Sequence, residues 1–553
     1  MDPERERIQE DLRGLVRGEV RCDDVFVQLY STDASIYQVR PLGVVRPRTA
    51  HDVAACLRYA AERQIPIHAR GAGTGLAGES LGPGLVLDFS CHFRRILARH
   101  DERVRVQPGV VHERLNAFLE RSGRTFGPDP AMSHVTTLGS VAAIDGAGSR
   151  WLKYGSARRH VLAMQIVLAD GTVMEVGREP LVGGQSVDAD PRKRDLINRL
   201  ADVLGRNAQM IERHQPRSRV NRSGYHLAGV LSEDALDLPR LLVGSEGTLA
   251  LFTELELATQ PLPRHRGLAL LFFERLESAA RAVEEILTFA PTACDLMDRR
   301  HLTLARETDD RFAQLIPPSA EAMLLVEQDG EDGAGVREQM RALVDRIRRR
   351  RRLAFDARQT SSPDEMELYW QLPRRVVPTL YRLKGSTRAV PFVEDIAAPP
   401  ETLPKFLPEM QNILKQHQVT AALFGHAGHG QLHIRPFLDL SDPQHVAVLQ
   451  QLANDLYEAV FRFGGTISGE HADGLSRTPF IRRQYGPLYH VFREVKRIFD
   501  PLNLLNPGKI VGDDPELHLR HLRPSELAAT AISPPWASTE GARLPASAGP
   551  ATG

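Results

Sequence analysis

Residues 68–80 read HARGAGTGLAGES, a formal G-x-G-x-x-G at Gly73, Gly75 and Gly78, and the reading of this stretch decides the fold. In a dinucleotide-binding crossover the motif follows a strand and opens a helix. Residues 65–68, Ile-Pro-Ile-His, supply the strand. No helix follows. Gly82, Pro83 and Gly84 come directly after Leu81 and precede a short apolar run at 85–87. Glycine and proline at that spacing end a helix before one turn is complete. The sequence therefore predicts a glycine loop between two strands, not a Rossmann crossover.

The surrounding chain has 553 residues, enough for two or more domains with substantial cores. Seventy basic residues balance seventy acidic ones, so no global charge draws it to nucleic acid or to an anionic membrane. Cys22, Cys56, Cys91 and Cys294 lie far apart with no CxxC pair. That usage predicts reduced thiols in a cytoplasmic protein and no cysteine-ligated iron–sulfur cluster within this sequence. The opening MDPERERIQEDLRG lacks the apolar core of a signal peptide, and no apolar run reaches the length of a membrane span. Contact with the inner face of a membrane would be peripheral, through a partner or a surface.

Periodicity divides the chain into an N-terminal helical lead (1–35), a region of short strands and glycine turns (36–263), an α+β region (264–512), and a tail (513–553). The tail, rich in Pro, Ala and Ser, is expected to be disordered. HDVAACLRYAAERQ from His51 has helical spacing; VRVQPGVV and MQIVLADGTVMEV read as strands, the latter with a turn at Asp170-Gly171. In the α+β region GLALLFF and AMLLVEQ read as strands, with SAARAVEEILTFA a helix between them. The run RIRRRRRL at 346–353 lacks interleaved aromatics and reads as a solvated helix end.

Two further loops accompany the first. GPDPAMSHVTTLGSVAAIDGAGSRWLKYG (127–155) combines a Pro-Asp-Pro turn with Thr136, Thr137, Gly139, Ser140, Gly146 and Gly148; VGSEGTLALFTELEL (243–257) places Gly244, Ser245, Glu246, Gly247 and Thr248 before a strand. Small residues let backbone N–H groups approach a pyrophosphate or a ring edge. One such loop is an ordinary turn; three at strand ends point to an extended nucleotide cofactor.

Together these stretches resemble the FAD domain of flavoproteins of the vanillyl-alcohol-oxidase (PCMH) type. The downstream motifs resemble the branch containing D-lactate dehydrogenases, D-2-hydroxyglutarate dehydrogenases and the large subunit of glycolate oxidase. The resemblance spans about residues 36–512. It implies an α+β fold with a two-part PCMH-type FAD-binding domain followed by an α+β substrate domain that returns to the flavin at its C-terminus. It also implies that Arg70, Gly71, Ala72, Gly73, Thr74 and Gly75 wrap the pyrophosphate, with Pro128, Asp129, Thr137, Gly139, Ser140, Gly148, Glu246, Gly247 and Thr248 lining the remainder. Relatives with covalent flavin carry His where this chain has Thr74, so noncovalent FAD is expected.

FGHAGHGQLHIRPF (424–437) brings His426, His429 and His433 into eight residues threaded by glycines, a ligand set suited to zinc or a similar divalent ion. His433 and Arg435 share a strand face, and a cation beside a metal suits an anionic substrate. GGTISGEHADG (464–474) places Glu470 and His471 in an irregular turn. The resemblance implies His426, His433 and Glu470 as metal ligands and His471 as the catalytic base. His429 and Gln431 stand where many relatives carry Asp and Asn. WQLPRRVVPTL from Trp370 resembles the stretch whose Arg clamps a substrate carboxylate; Pro373 offsets the spacing and leaves both Arg374 and Arg375 as candidates. Val393 stands where hydroxyglutarate enzymes carry Lys, which weighs against that substrate. In NLLNPGK (503–509), Asn506 is placed to hydrogen-bond the flavin ring.

The implied activity is oxidation of a D-2-hydroxy acid, D-lactate-like, to the 2-oxo acid. Electrons would pass to a separate acceptor: an iron–sulfur protein, a cytochrome or a quinone-linked partner. A homodimer is compatible with the resemblance. Two other readings remain open: a metal-independent flavin oxidase of another alcohol, and a non-catalytic FAD-binding subunit of an iron–sulfur complex.

Overall fold

The computed structural model describes residues 2–381, 383 and 385–523. The glycine stretch is a loop between parallel strands, as expected: Ile67–Arg70 and Leu85–Asp88 pair in register, and no helix intervenes. The helix Ala50–Arg63 precedes them, N-capped by the Thr49 side chain and closed by Gln64 in the left-handed region. Its face of Val53, Ala54, Cys56, Leu57 and Ala60 is buried. The sheet runs in the order Glu19–Arg21, Gly43–Arg46, Leu85–Asp88, Ile67–Arg70.

The N-terminal lead is therefore more than helical. Its strand Glu19–Arg21 pairs antiparallel with Gly43–Arg46, and Ile8 and Leu12 of the helix Pro3–Leu15 enter the same core. A second, five-stranded sheet carries the expected hairpin, Val161–Val167 against Val173–Val176, beside Leu251–Ala258 and Arg103–Val106. The strand predicted over 104–111 stops at Val106, because Pro108 has no N–H for a ladder.

The second half is built on an eight-stranded sheet, the α+β arrangement predicted. His265–Phe273 and Ala322–Gly330 pair antiparallel along their whole lengths, and the helix Leu276–Leu287 lays Ala279, Ala280, Val283 and Ile286 against them. The arginine run continues the helix Gly333–Asp345 as a π-turn, with Ile347 buried and Arg346, Arg350 and Arg351 paired to Glu285 or Asp345.

The chain then returns. The helix Tyr489–Phe499 buries Val491, Phe492, Val495 and Phe499 in the core of the first half. Beyond it Leu504 and Asn506 hydrogen-bond to Ile67 through their backbones. The expectation of disorder from residue 513 fails for 513–523. There Leu522 bridges Tyr37, Leu517 packs beside Tyr37, Val39, Leu81 and Leu475, and Arg523 donates to the carbonyls of Asp33 and Ser35. Apolar anchors at Leu517 and Leu522 supply burial that the composition of the tail as a whole concealed. Residues 524–553 of that prediction lie outside the described residues.

Candidate functional site

The three glycine loops meet. One cleft is lined by Ala69, Arg70, Gly71, Thr137, Gly139, Ser140 and Gly247, with Phe89 and Phe252 on its walls. A methyl group on Gly71 would run into the hydroxyls of Thr137 and Ser140, and one on Gly139 into Pro108. The glycines hold space that any side chain would fill, which fits a flat, phosphate-bearing ligand. Ala72, Gly73, Thr74 and Gly75 form the adjoining loop, in which Gly73 needs a φ of 68°.

Other residues of that expected set have partners inside the protein. The Arg70 guanidinium donates to the carbonyls of Tyr30 and Thr32 and lies against Gly73 of the first loop. Pro128 engages His112 through its carbonyl, and Asp129 pairs with Arg150. The Thr248 hydroxyl, fully buried, lies between Ser245 and Tyr225. Glu246, at a φ of 53°, accepts the backbone N–H groups of Asp473 and Gly474, and burial, then Asp473, pushes its carboxyl up to about 8.

Asn506 was expected to face the flavin ring and does not have the bonds free to do so. Its Nδ2 donates to the carbonyls of Glu79 and Glu246, and its Oδ1 accepts from His68 Nδ1 and Lys509 Nζ. It ties three loops together instead.

The histidine and GEH segments, over thirty residues apart in sequence, converge. Glu470 Oε1 lies 3.2 Å from His426 Nε2, 3.5 Å from His433 Nε2 and 3.8 Å from His471 Nε2. His426 opens the turn after the strand Ala421–Gly425; His433 lies on Gln431–Leu438, paired directly with Phe424. Glu470 Oε2 accepts from Gly148 N at 2.9 Å, so the second glycine loop touches this cluster. His429 has its Nε2 on Gln431 and its ring between Trp151 and His426, stacked on the latter at 5.3 Å.

Behind these side chains stand carboxylates that the sequence reading passed over. Asp295 Oδ1 lies 2.9 Å from His426 Nδ1 and its Oδ2 accepts from Ser149. Burial opposes a charge on His426, but Asp295 and then Glu470 hold its pKa well above the ordinary value. Asp395 accepts backbone N–H bonds from Gly469, Glu470 and His471, and side-chain bonds from Ser468 and Gln431. Its oxygens lie close enough to His433, Glu470 and His471 to count among ion-binding donors, but these five groups occupy them. Glu394 Oε1 lies 2.7 Å from His471 Nδ1. A signal existed: FVEDIA sets two acids in an apolar run, and ACDLMD sets Asp295 in the interior of a core strand. Acids so placed need buried partners.

The substrate-clamp expectations are corrected. Arg374 and Arg375 lie on the helix Pro363–Tyr381 with their guanidiniums about half exposed, one bound to Glu367 and the other to Asp309. Glu367 is exposed and Asp309 is largely covered. The same helix turns its other side inward, where Trp370 Nε1 donates to Glu327. Arg435 is buried at the cluster but is neutralised by Glu394 at 2.9 Å.

Comparison with known proteins identifies both halves of the chain. The family model of an FAD binding domain matches residues 41–177, and that of the C-terminal domain of FAD linked oxidases matches 262–510. The chain is 33% identical over 506 residues to the D-2-hydroxyglutarate dehydrogenase of Pantoea ananatis, covering 87% of this chain and 49% of that protein. With the glycolate oxidase subunit GlcD of Bacillus subtilis it shares 28% identity over 497 residues, covering 88% and 92%. The solved 4-ethylphenol oxidase from Gulosibacter chungangensis superposes with a TM-score of 0.67 at 16% identity, over 93% of this chain and 98% of that one, a likeness of fold. The chain spans about half the length of the D-2-hydroxyglutarate dehydrogenases it matches.

Proposed function

The chain belongs to the FAD-linked oxidases, carrying both their FAD binding domain and their C-terminal domain, and from that premise we propose that it oxidises a D-2-hydroxy acid to the corresponding 2-oxo acid. The observation that carries the proposal is the approach of three imidazole Nε2 atoms to one carboxylate oxygen, within 3.2–3.8 Å, beside a glycine loop of the cofactor cleft.

The donor set fits a divalent ion, with zinc expected. His426, His433 and Glu470 offer two nitrogens and an oxygen, with His426 Nε2 and His433 Nε2 lying 3.2 and 3.5 Å from Glu470 Oε1. Asp295 behind His426 is the outer carboxylate that orients a metal-ligating imidazole. A bound FAD would supply the hydride acceptor, and an ion held by His426, His433 and Glu470 would supply Lewis-acid chemistry toward the substrate hydroxyl. His471 takes the hydroxyl proton at Nε2 as general base. The alcohol thus loses one hydride and one proton, and the balance is a 2-oxo acid, reduced flavin and a protonated base.

Noncovalent FAD is supported by Thr74 in the first loop. The electrons go to a separate iron–sulfur, cytochrome or quinone-linked acceptor. No helix among the described residues is long and apolar enough to cross a membrane.

The test is anaerobic mixing of the flavin-loaded protein with D- and L-forms of lactate and 2-hydroxyglutarate, and with glycolate. Flavin bleaching by a D-acid is expected, and glycolate, which is achiral, reports on chain length. Failure of every acid to bleach it would reject the reading.

A further inference from the structure

We propose that Glu394 is the positioning carboxylate of the catalytic base, and that Arg435 serves to hold Glu394 rather than to bind substrate. The proposal rests on the reading of His471 as that base.

A neutral imidazole carries its proton on one nitrogen, and the partner of that nitrogen decides which. Glu394 Oε1 stands 2.7 Å from His471 Nδ1. An ionised carboxylate only accepts, so Nδ1 carries the hydrogen. In the neutral ring Nε2 is then the bare nitrogen, and it is the one turned toward Glu470. The His471 ring lies stacked against His433, with 4.9 Å between centroids and 17° between planes. A ring held on its face and at Nδ1 has no freedom to flip.

Glu394 is completely buried, a position that requires compensating charge. Arg435 NH2 lies 2.9 Å from its Oε2, and Arg435 NH1 donates to Tyr381. Arg477 NH2 donates to the Glu394 carbonyl while its NH1 donates to that of Ala472, strapping the acid to the segment that carries the base. Burial disfavours the charge on Glu394, but the Arg435 guanidinium beside it holds its pKa well below the carboxylate range.

The neighbouring acid completes the arrangement. Adjacent residues of a strand point to opposite faces. Asp395 takes a φ of 68°, a conformation Asp tolerates better than most residues. With that turn both acids address the same loop: Asp395 holds the backbone of residues 469–471 and Glu394 holds the ring.

The experiment compares Glu394→Gln and Glu394→Asp with wild type as flavin- and metal-loaded protein. Glutamine keeps the size but can offer an N–H to Nδ1 and so favour the wrong tautomer. For Glu394→Gln we expect unchanged flavin and metal stoichiometry, KM within about threefold, and kcat lowered by roughly 10²–10⁴-fold, the range for disabling a general base or its orienting acid. Glu394→Asp, which keeps the charge, should recover part of that loss. Long-range ¹H–¹⁵N spectra of histidine-labelled protein should show His471 protonated at Nδ1 in wild type and not in Glu394→Gln. Wild-type kcat in Glu394→Gln, or metal loss in both variants, would overturn the proposal. Should Glu394→Gln not fold, Glu394→Asp decides: a kcat loss with metal retained supports the assignment. If no hydroxy acid reduces wild-type flavin, the base reading fails, while the tautomer spectrum still accepts or rejects the Glu394–His471 contact by itself.

Discussion

Ser149 donates its hydroxyl to Asp295 at 2.6 Å, and the other oxygen of Asp295 sits 2.9 Å from His426 Nδ1. One carboxylate thus joins the second glycine loop to the histidine cluster. Replacing Asp295 with Asn should leave flavin in place and weaken metal retention about 10–100-fold, the usual effect of removing an outer-shell partner. Metal titration with an indicator dye checks it; unaltered affinity would remove Asp295 from the site.

His471→Ala should keep flavin and metal and lose most turnover, roughly 10²–10⁴-fold. Stopped-flow measurement of flavin reduction reads this directly. Reduction at the wild-type rate would dismiss His471 as the base.

Chelation should separate the two groups. Dialysis against a strong chelator is expected to abolish flavin reduction by hydroxy acids while the flavin spectrum stays, since His426, His433 and Glu470 are not among the residues lining the cleft around Gly71 and Gly139. Zinc added back should restore the reaction. Full activity in protein shown to be metal-free would favour a metal-independent oxidase.

Gly71→Ala tests the cleft. Its methyl would enter the space between the Thr137 and Ser140 hydroxyls. Flavin occupancy after purification should drop, with the histidine cluster still binding metal. An unchanged flavin-to-protein ratio would put the cofactor elsewhere.

Stability should fall on acidification through His68. This side chain is buried, donates Nδ1–H to Asn506, and is held down to about 3 by burial and then by Lys509. The unfolded chain takes up the proton below about 6.5 and the folded one does not. The stabilisation is therefore complete above that value and is lost as pH falls toward 3, with a slope of at most about 1.4 kcal/mol per pH unit. Urea midpoints between pH 7 and pH 4 should decline less steeply in His68→Gln than in wild type.

What could be read along the chain followed from local rules. Gly82-Pro83-Gly84 excludes a helix whatever surrounds it, so the loop between strands at 71–84 was determined by the sequence itself. The alternation in the hairpin at 161–176 and the helical spacing at 51–64 were equally local. The histidine stretch and the GEH stretch were legible as motifs, and the fold sets His426 Nε2 and His433 Nε2 at 3.2 and 3.5 Å from Glu470 Oε1.

Only the tertiary structure decided which charges were spent and which were left for function. Arg435, Arg374 and Arg375 look alike in sequence as anion binders, yet each has a carboxylate partner 41, 7 or 66 residues away. Asn506, placed beside a flavin by its motif, meets His68, Glu79 and Glu246 from strands and loops hundreds of residues earlier. Glu394 and Asp395 gain their roles only when the segment at 469–471 folds over them. Backbone preference acts over a few residues and is written in order along the chain. The pairing of buried charges depends on which segments packing brings within 3–4 Å, and that is a property of the whole fold.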